Sequence, residues 1–359
     1  MKRILQIGLS FEKGGIESFV MNYYRVIDRN KYQFDFINPY SQPLAYEDEI
    51  LRLGGKIYKV HDFHNAPNEY KKELATIMSS YDIVHVHMLS AANIIPIKVA
   101  QSCNVRKIIA HSHSTNAVGF FRTILHAVFR KRVRKYANTF LTCSEEAGDW
   151  MFGSGVNYQV MKNAVALDMF SYNTSYRKTK RDEFGIDKGA IVYGSVGRLE
   201  YEKNQEFMLQ LFKEILKRQE NSYLIIVGEG IMRDRLESLA EELDIRSKVK
   251  LLGRRSDVNQ LYSSMDVFLL PSLLEGFPFT LVEAQANGLK CYVSEGNVPA
   301  ETRIINNVEF IKLNEGEKKW AEIICNSSIT RDKDAIAKLR KAHFDINKEV
   351  VEMERIYDD

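Results

Sequence analysis

"AIVYGSVGRLEYEKNQEFMLQLFKEILKRQENSYLIIVGEG", residues 190–230, holds two short apolar runs separated by an amphipathic stretch. The outer runs are aliphatic and β-branched, as buried strands are, and the middle stretch reads as a helix. Strand, helix and strand in succession make a parallel pair with the helix on one face of the sheet. The same rhythm runs outward in both directions. Upstream, "RILQIGL" leads into "GGIESFVMNYYRVI", "DIVHVHM" into "AANIIPIKVAQSC", and "RKIIAHSHS" into "FFRTILHAVFRKRVRKY". Downstream come "KVKLLGR", "DVNQLYSSM" and "DVFLLPS". The expected fold class is α/β, doubly wound. At 359 residues the chain exceeds one ordinary core, so two such domains are expected. The polar interval 171–190 is the natural boundary, giving a first domain over 1–170 and a second from 171.

Composition narrows the function. Apolar residues make up 45% and charged residues 27%, ordinary for a globular protein. The four cysteines are scattered without a C-x-x-C pair, which argues against a zinc knuckle or disulfide framework and fits a reducing compartment. The opening "MKRILQIG" reads as a first buried strand rather than a signal peptide, and no run approaches the ~20 apolar residues of a membrane span. The net charge of +3 is unevenly placed. Between Asp82 and Glu145 there are nine Lys/Arg, five histidines and no acid.

In doubly wound sheets ligands bind beyond the carboxyl ends of strands, and the chemistry-bearing residues here follow strands. "LLEGFPFTLVEAQANG" (273–288) sets Glu275 and Glu283 around Gly276, Phe277 and Pro278. Pro278 predicts a helix opening near Phe279 or Thr280, with Glu283 in its first or second turn and Gly288 at the exit. Both acids would then border a helix N-terminus, which attracts an anion. "SVGRLEYEKN" puts Arg198 and Lys203 in a loop where two cations can grip a diphosphate, although Glu200 and Glu202 could simply pair with them. Gly14 and Gly15 in "EKGGIESF" would let backbone amides approach a phosphate, without the G-x-G-x-x-G or Walker spacing. A tight strand–helix turn is the plainer reading. "VGEG" with Gly228 and "LLGRRSDV" with Arg254 are loop signals, and Ser144 reads as a helix N-cap. His111 and His113 in "AHSHST" point one way if the strand persists. With His85 and His87 they make a four-histidine metal site conceivable, but polar histidines at a strand end in a cleft are the better reading.

Taken in order, "GGIE", "HSHS", "KNAVALDMF", "GRLEYEKN", "VGEG", "LLGRRSDV" and "EGFPFTLVEAQANG" resemble the retaining family-4 glycosyltransferases of the GT-B fold, in particular bacterial capsular and exopolysaccharide enzymes. The resemblance spans nearly the whole chain. It implies two Rossmann-like domains facing a central cleft: an acceptor-binding domain over 1–170, a nucleotide-sugar domain over 171–340, and a helix within 341–359 crossing back to the first. It implies transfer of a hexosyl or N-acetylhexosaminyl unit from a nucleotide sugar, UDP-linked by family habit, to a glycan or lipid-linked acceptor in polysaccharide biosynthesis. By resemblance Arg198 and Lys203 neutralise the diphosphate, Glu283 holds the ribose and Glu275 faces the sugar. The backbone at Gly276, Phe277 and Pro278 lines the sugar pocket, Arg254 lies by the nucleobase and Gly15 closes over the phosphate. His113, with His111 as alternate, stands near the reacting sugar; the familiar Thr-x-His-Asp pattern reads His-Ser-His-Ser here. No metal cofactor is expected. The alternatives are a sugar-nucleotide epimerase of the same fold and a non-catalytic partner subunit.

A last expectation concerns residues 120–136, with six Lys/Arg and no acid. Phe121, Leu125, Val128, Phe129 and Val133 predict an amphipathic helix whose stripe packs inward while its cations meet an anionic membrane surface. That would place the enzyme in the cytoplasm, peripherally on the inner face of the plasma membrane. Nothing in the chain suggests nucleic acid as a partner.

Overall fold

The computed structural model describes residues 1–115 and 119–359, and the chain divides into two compact units. The first comprises Met1–Ala164 with Ile346–Asp359, the second Val165–Asp345. In the first unit seven parallel strands, β1 (Lys2–Ile7), β2 (Tyr32–Asn38), β3 (Ile57–Lys59), β4 (Ile83–Met88), β5 (Lys107–Ser112), β6 (Thr139–Thr142) and β7 (Gln159–Val160), lie in the order β3-β2-β1-β4-β5-β6-β7. In the second, β8 (Ile191–Val196), β9 (Ser222–Val227), β10 (Val249–Leu251), β11 (Val267–Leu270), β12 (Lys290–Ser294) and β13 (Val308–Ile311) lie in the order β10-β9-β8-β11-β12-β13. Each order reverses beside its first strand, between β1 and β4 and between β8 and β11. Those are the switch points where loops diverge and leave room for a ligand.

The stretch 190–230 folds as read, with β8 and β9 paired in parallel and helix Gln205–Leu216 between them. Met208, Leu209, Phe212 and Ile215 bury the inner face of that helix on the sheet. The two faces of the first sheet differ. Leu5, Ile7, Val84, Val86, Ile108 and Ala110 join one apolar cluster. The opposite pleat carries Gln6, His85, His87 and His111, all buried, with Gln6 opposite His85 and His87 opposite His111 in register.

The boundary falls at Ala164/Val165, six residues before the polar interval. Leu167–Phe170 already belongs to the second unit, where Asn287 Nδ2 donates to the Phe170 carbonyl at 2.7 Å. The interval itself is mostly structure. Helix Thr174–Glu183 sends Arg177 and Arg181 to Asp266 at 2.6 and 2.5 Å, and Asp266 also accepts from the Val192 amide at 2.8 Å. Its polarity marks buried ion pairs rather than a linker. At the other end, helix Ala335–Lys341 stays with the second unit, and only helix Ile346–Asp358 joins the first. There Lys2 Nζ donates to the Tyr357 carbonyl at 3.1 Å, Lys107 Nζ to that of Ile356, and the Asp28 amide to Glu354 at 3.0 Å.

Candidate active site

In the second unit the loops leaving β8 and β11 are tied together. Lys203 Nζ meets Glu275 Oε1 at 2.6 Å, and the Ser272 hydroxyl donates to the same oxygen at 2.7 Å. The Glu275 amide donates to the Asn297 carbonyl at 2.9 Å, so the buried carboxylate sits on a fixed backbone. Asn204, at φ 55°, donates to the Pro271 carbonyl at 3.0 Å, and Gln205 to that of Arg198 at 2.8 Å. These side chains set the path of the cation loop. Arg198 is exposed and pairs with Glu200 at 2.7 Å, one of the pairings the sequence left open. Lys203 takes the other course, bonding to the acid 72 residues away. Gly228, at φ 144°, runs directly beneath this loop: a Cβ there would lie 1.8 Å from the Gly197 carbonyl oxygen.

Helix Phe279–Ala286 opens at Pro278 as read, with no side chain capping its first turn. Gly288 at φ 75° ends it, against the Asp332 carbonyl. Helix start amides without a capping side chain are a ready anion site. Glu283 is half-buried and accepts from the Tyr262 hydroxyl at 2.7 Å. Desolvation raises its carboxyl to about 7, against the lowering effect of that hydrogen bond. Gly276 is half-buried, and the buried Phe277 ring turns away to stack on Phe344 at 5.5 Å. Arg254 is exposed in the loop after β10, while its neighbour Arg255 is bound to Asp257 and Glu183.

In the first unit, Glu17 reaches back over the first strand–helix turn. It accepts from the amides of Ser10 at 2.7 Å and Gly14 at 2.9 Å. The Gly14 amide is therefore already engaged, which corrects its reading as a phosphate donor. At Gly15 a Cβ would meet nothing within 4 Å, so close approach there stays open. A cavity of about 770 Å³ lies at the carboxyl ends of β1 and β4, lined by Gly8, Tyr40, His87, Met88, Asn93 and Arg122 among others.

The structure separates the two candidate histidines. His111 is 0% exposed within the sheet face, whereas His113 lies just past the end of β5 and is half-buried. Their rings stack at 4.0 Å, so they do share a side. Burial pushes His85 and His113 down to about 3, and His87 and His111 well below the ordinary value, so all four are neutral near pH 7. His85, His87 and His111 bring ring nitrogens within 4.8 Å of one another, a spacing that could hold a metal ion. The His85 and His87 rings, however, stack at 4.2 Å and 25° from parallel, which suits contacts between rings better than three lone pairs converging on one ion. Gln6 and Tyr357 in the first unit went unread in the sequence, because only the sheet register and the returning helix bring them to the histidines, as did Ser272 beside Glu275 and Tyr262 beside Glu283 in the second.

Helix Phe120–Tyr136 departs from expectation. His126 and Val133 are buried, with Phe129 and Tyr136 packed on the core. Phe120 and Phe121 are 77% and 80% exposed, and Ile124, Leu125 and Val128 are exposed as well. At 100° per residue Phe129 and Val133 lie roughly 80–120° round from Phe121, so the helix has two apolar stripes and buries one. No helix among the described residues is long and apolar enough to cross a membrane.

Residues 176–324 match the family described as glycosyl transferases group 1. EpsF of Bacillus subtilis, described as a glycosyltransferase, is 30% identical over 338 residues, covering 91% of this chain and 88% of its own. The UDP-Gal:alpha-D-GlcNAc-diphosphoundecaprenol alpha-1,3-galactosyltransferase of Escherichia coli is 27% identical over 305 residues, covering 79% and 76%. Among solved structures, Anabaena HepE in complex with UDP and glucose superposes with a TM-score of 0.82 at 17% identity, covering 100% of both chains. That likeness carries the GT-B fold.

Proposed function

The chain belongs to the group 1 glycosyltransferases, as an enzyme of the capsule and exopolysaccharide type, and we propose that it moves a hexosyl or N-acetylhexosaminyl unit from a UDP-sugar to a lipid-linked glycan with retention at the anomeric carbon. The observation that carries the reading is the Lys203–Glu275 pair, set in loops that leave the switch-point strands of the second sheet. Arg198, Lys203 and the first amides of helix Phe279–Ala286 meet the charge that develops on the departing diphosphate. Glu283 accepts from the ribose hydroxyls and Glu275 from the sugar. With Oε1 of Glu275 held by Lys203 and Ser272, the carboxylate serves as an orienting group rather than a nucleophile. Arg254 is assigned to the nucleobase, Gly15 and Gly228 to close backbone approach at the phosphates and donor, and His113 to the transferred sugar. The positive charge of Arg198 and Lys203 makes a divalent ion unnecessary.

A UDP donor and a lipid diphosphate acceptor are supported by the E. coli relative, whose name specifies both, and by the UDP bound to HepE. The exposed apolar and cationic faces of helix Phe120–Tyr136 fit attachment to an anionic cytoplasmic leaflet, where such an acceptor is anchored. The test presents a panel of nucleotide sugars with undecaprenyl-diphosphate glycan acceptors and reads the product's anomeric configuration by NMR. A UDP-sugar should be consumed with retention, in excess EDTA. An inverted anomer, isomerisation of donor without acceptor, or strict dependence on manganese or magnesium would each overturn the corresponding part.

A further inference from the structure

The buried polar face of the first sheet forms two hydrogen-bonded chains that meet at one side chain. His87 Nε2 lies 2.9 Å from Gln6 Oε1, and His87 Nδ1 lies 2.9 Å from His113 Nε2. On the other side Gln6 Nε2 donates to the Tyr357 hydroxyl at 3.3 Å. That hydroxyl lies 2.9 Å from His85 Nδ1, and His85 Nε2 lies 3.1 Å from His111 Nδ1. Each neutral imidazole has one N–H and one bare nitrogen, so fixing either end of a chain fixes every ring along it.

Gln6 fixes both ends. Its carbonyl oxygen only accepts, so His87 carries its proton on Nε2, its Nδ1 accepts, and His113 must donate from Nε2. His113 is left with a bare Nδ1. The Tyr357 oxygen receives the Gln6 amide, and His85 Nδ1 is the acceptor that its own proton finds among the described residues, so the proton goes there. His85 then donates from Nε2 to His111 Nδ1, leaving the proton of His111 on Nε2, a buried nitrogen with no hydrogen-bond partner among the described residues. All four rings are the same tautomer. Turning the Gln6 amide by 180° reverses every donor and puts all four protons on Nδ1.

We propose that Gln6 is a positioning residue for sugar transfer: its amide selects the tautomer of His113, through His87, so that Nδ1 presents a lone pair to a sugar hydroxyl. Tyr357 anchors the amide by accepting from it, and the orphaned proton on His111 is a cost of that arrangement. The use of the lone pair rests on His113 facing the transferred sugar, whereas the tautomer itself does not.

The experiment labels the intact enzyme with ¹³C,¹⁵N-histidine and reads tautomers from ring nitrogen and carbon shifts at pH 7. His85, His87, His111 and His113 should all be neutral and protonated on Nε2. Nδ1 protonation or an imidazolium at His87 or His113 would overturn the proposal on the unmodified protein. In Gln6→Met, of similar length and without the amide, His87 and His113 should shift toward Nδ1 protonation. Turnover should fall tenfold or more while KM for the nucleotide sugar changes less than twofold. Unchanged tautomers in this variant would also overturn it. Changed tautomers with wild-type turnover would uphold tautomer control by Gln6 and overturn the placement of His113 at the sugar.

Discussion

Lys203 is bound to the buried Glu275, whereas Arg198 reaches out from an exposed loop and pairs with Glu200; under the proposed reading both also meet the charge of the donor. Replacing either with Ala should therefore cut turnover while the second unit stays folded. Losing one charge-assisted contact to a leaving group costs roughly 2–4 kcal/mol of transition-state stabilisation, or about 1.5–3 decades in rate. Near wild-type turnover in both variants would count against the diphosphate grip. Glu283 gives a pH signature. Its folded value of about 7 lies above the ordinary 4.5, so the folded chain keeps a proton that the unfolded chain has lost. Stability falls as pH rises through that window, and the loss, at most about 3 kcal/mol, is complete above 7. Glu283→Gln keeps an acceptor for Tyr262 without the charge. Its melting temperature should match the wild type near pH 4 and exceed it at pH 8, and a strengthening of UDP binding from pH 6 to 8, expected of the wild type as Glu283 ionises against the ribose, should be absent. Parallel melting curves for the two proteins across this range would refute the assignment.

Among the elements, helix Phe120–Tyr136 makes the sharpest prediction, because at an anionic membrane its exposed stripe would add apolar insertion to charge attraction. Binding to liposomes should rise with anionic lipid, each juxtaposed cation adding up to ~1 kcal/mol, and weaken in high salt without vanishing. Replacing Phe120, Phe121 and Ile124 with Ser should remove the salt-resistant part. Sedimentation showing no binding at any composition, or binding indifferent to lipid charge and salt, would remove this helix as a membrane contact. Its double stripe also shows what sequence can and cannot reveal. Spacing shows which residues share a side, not which side finds a neighbour. Helix Phe279–Ala286 was legible because its start and stop are local, set by Pro278 and Gly288. Thr174–Glu183 read as part of a domain boundary because its arginines find Asp266 more than eighty residues on. The cations and acids of the second unit were visible as loop residues, but the Lys203–Glu275 pair was not, since it needs β8 and β11 side by side.

At the scale of the whole molecule, the first unit is closed by residues that follow the second. Tyr357 lies 272 residues from His85, whose Nδ1 its hydroxyl meets at 2.9 Å, and Lys2 and Lys107 both end on carbonyls of the same helix. A chain ending at Asp345 should keep the second unit and lose cooperative protection in the first. Segment-resolved hydrogen exchange would show it in β1, β4 and β5; protection there equal to the full chain would refute the role of helix Ile346–Asp358.

That closure has a consequence for biosynthesis. The second unit is continuous in sequence and can fold once residue 345 has left the ribosome, whereas the first unit waits for residue 359. At ~5–20 residues per second, the 195 residues from 165 to 359 hold Gln6 and His85 without the cover of Tyr357 for roughly 10–40 seconds. The rings of Tyr32 and Phe34, which Tyr357 also covers, stay open as long, and apolar surface of that kind is what chaperones engage. The nascent enzyme should thus depend on them during that interval, even though its earlier-made half carries most of the strands.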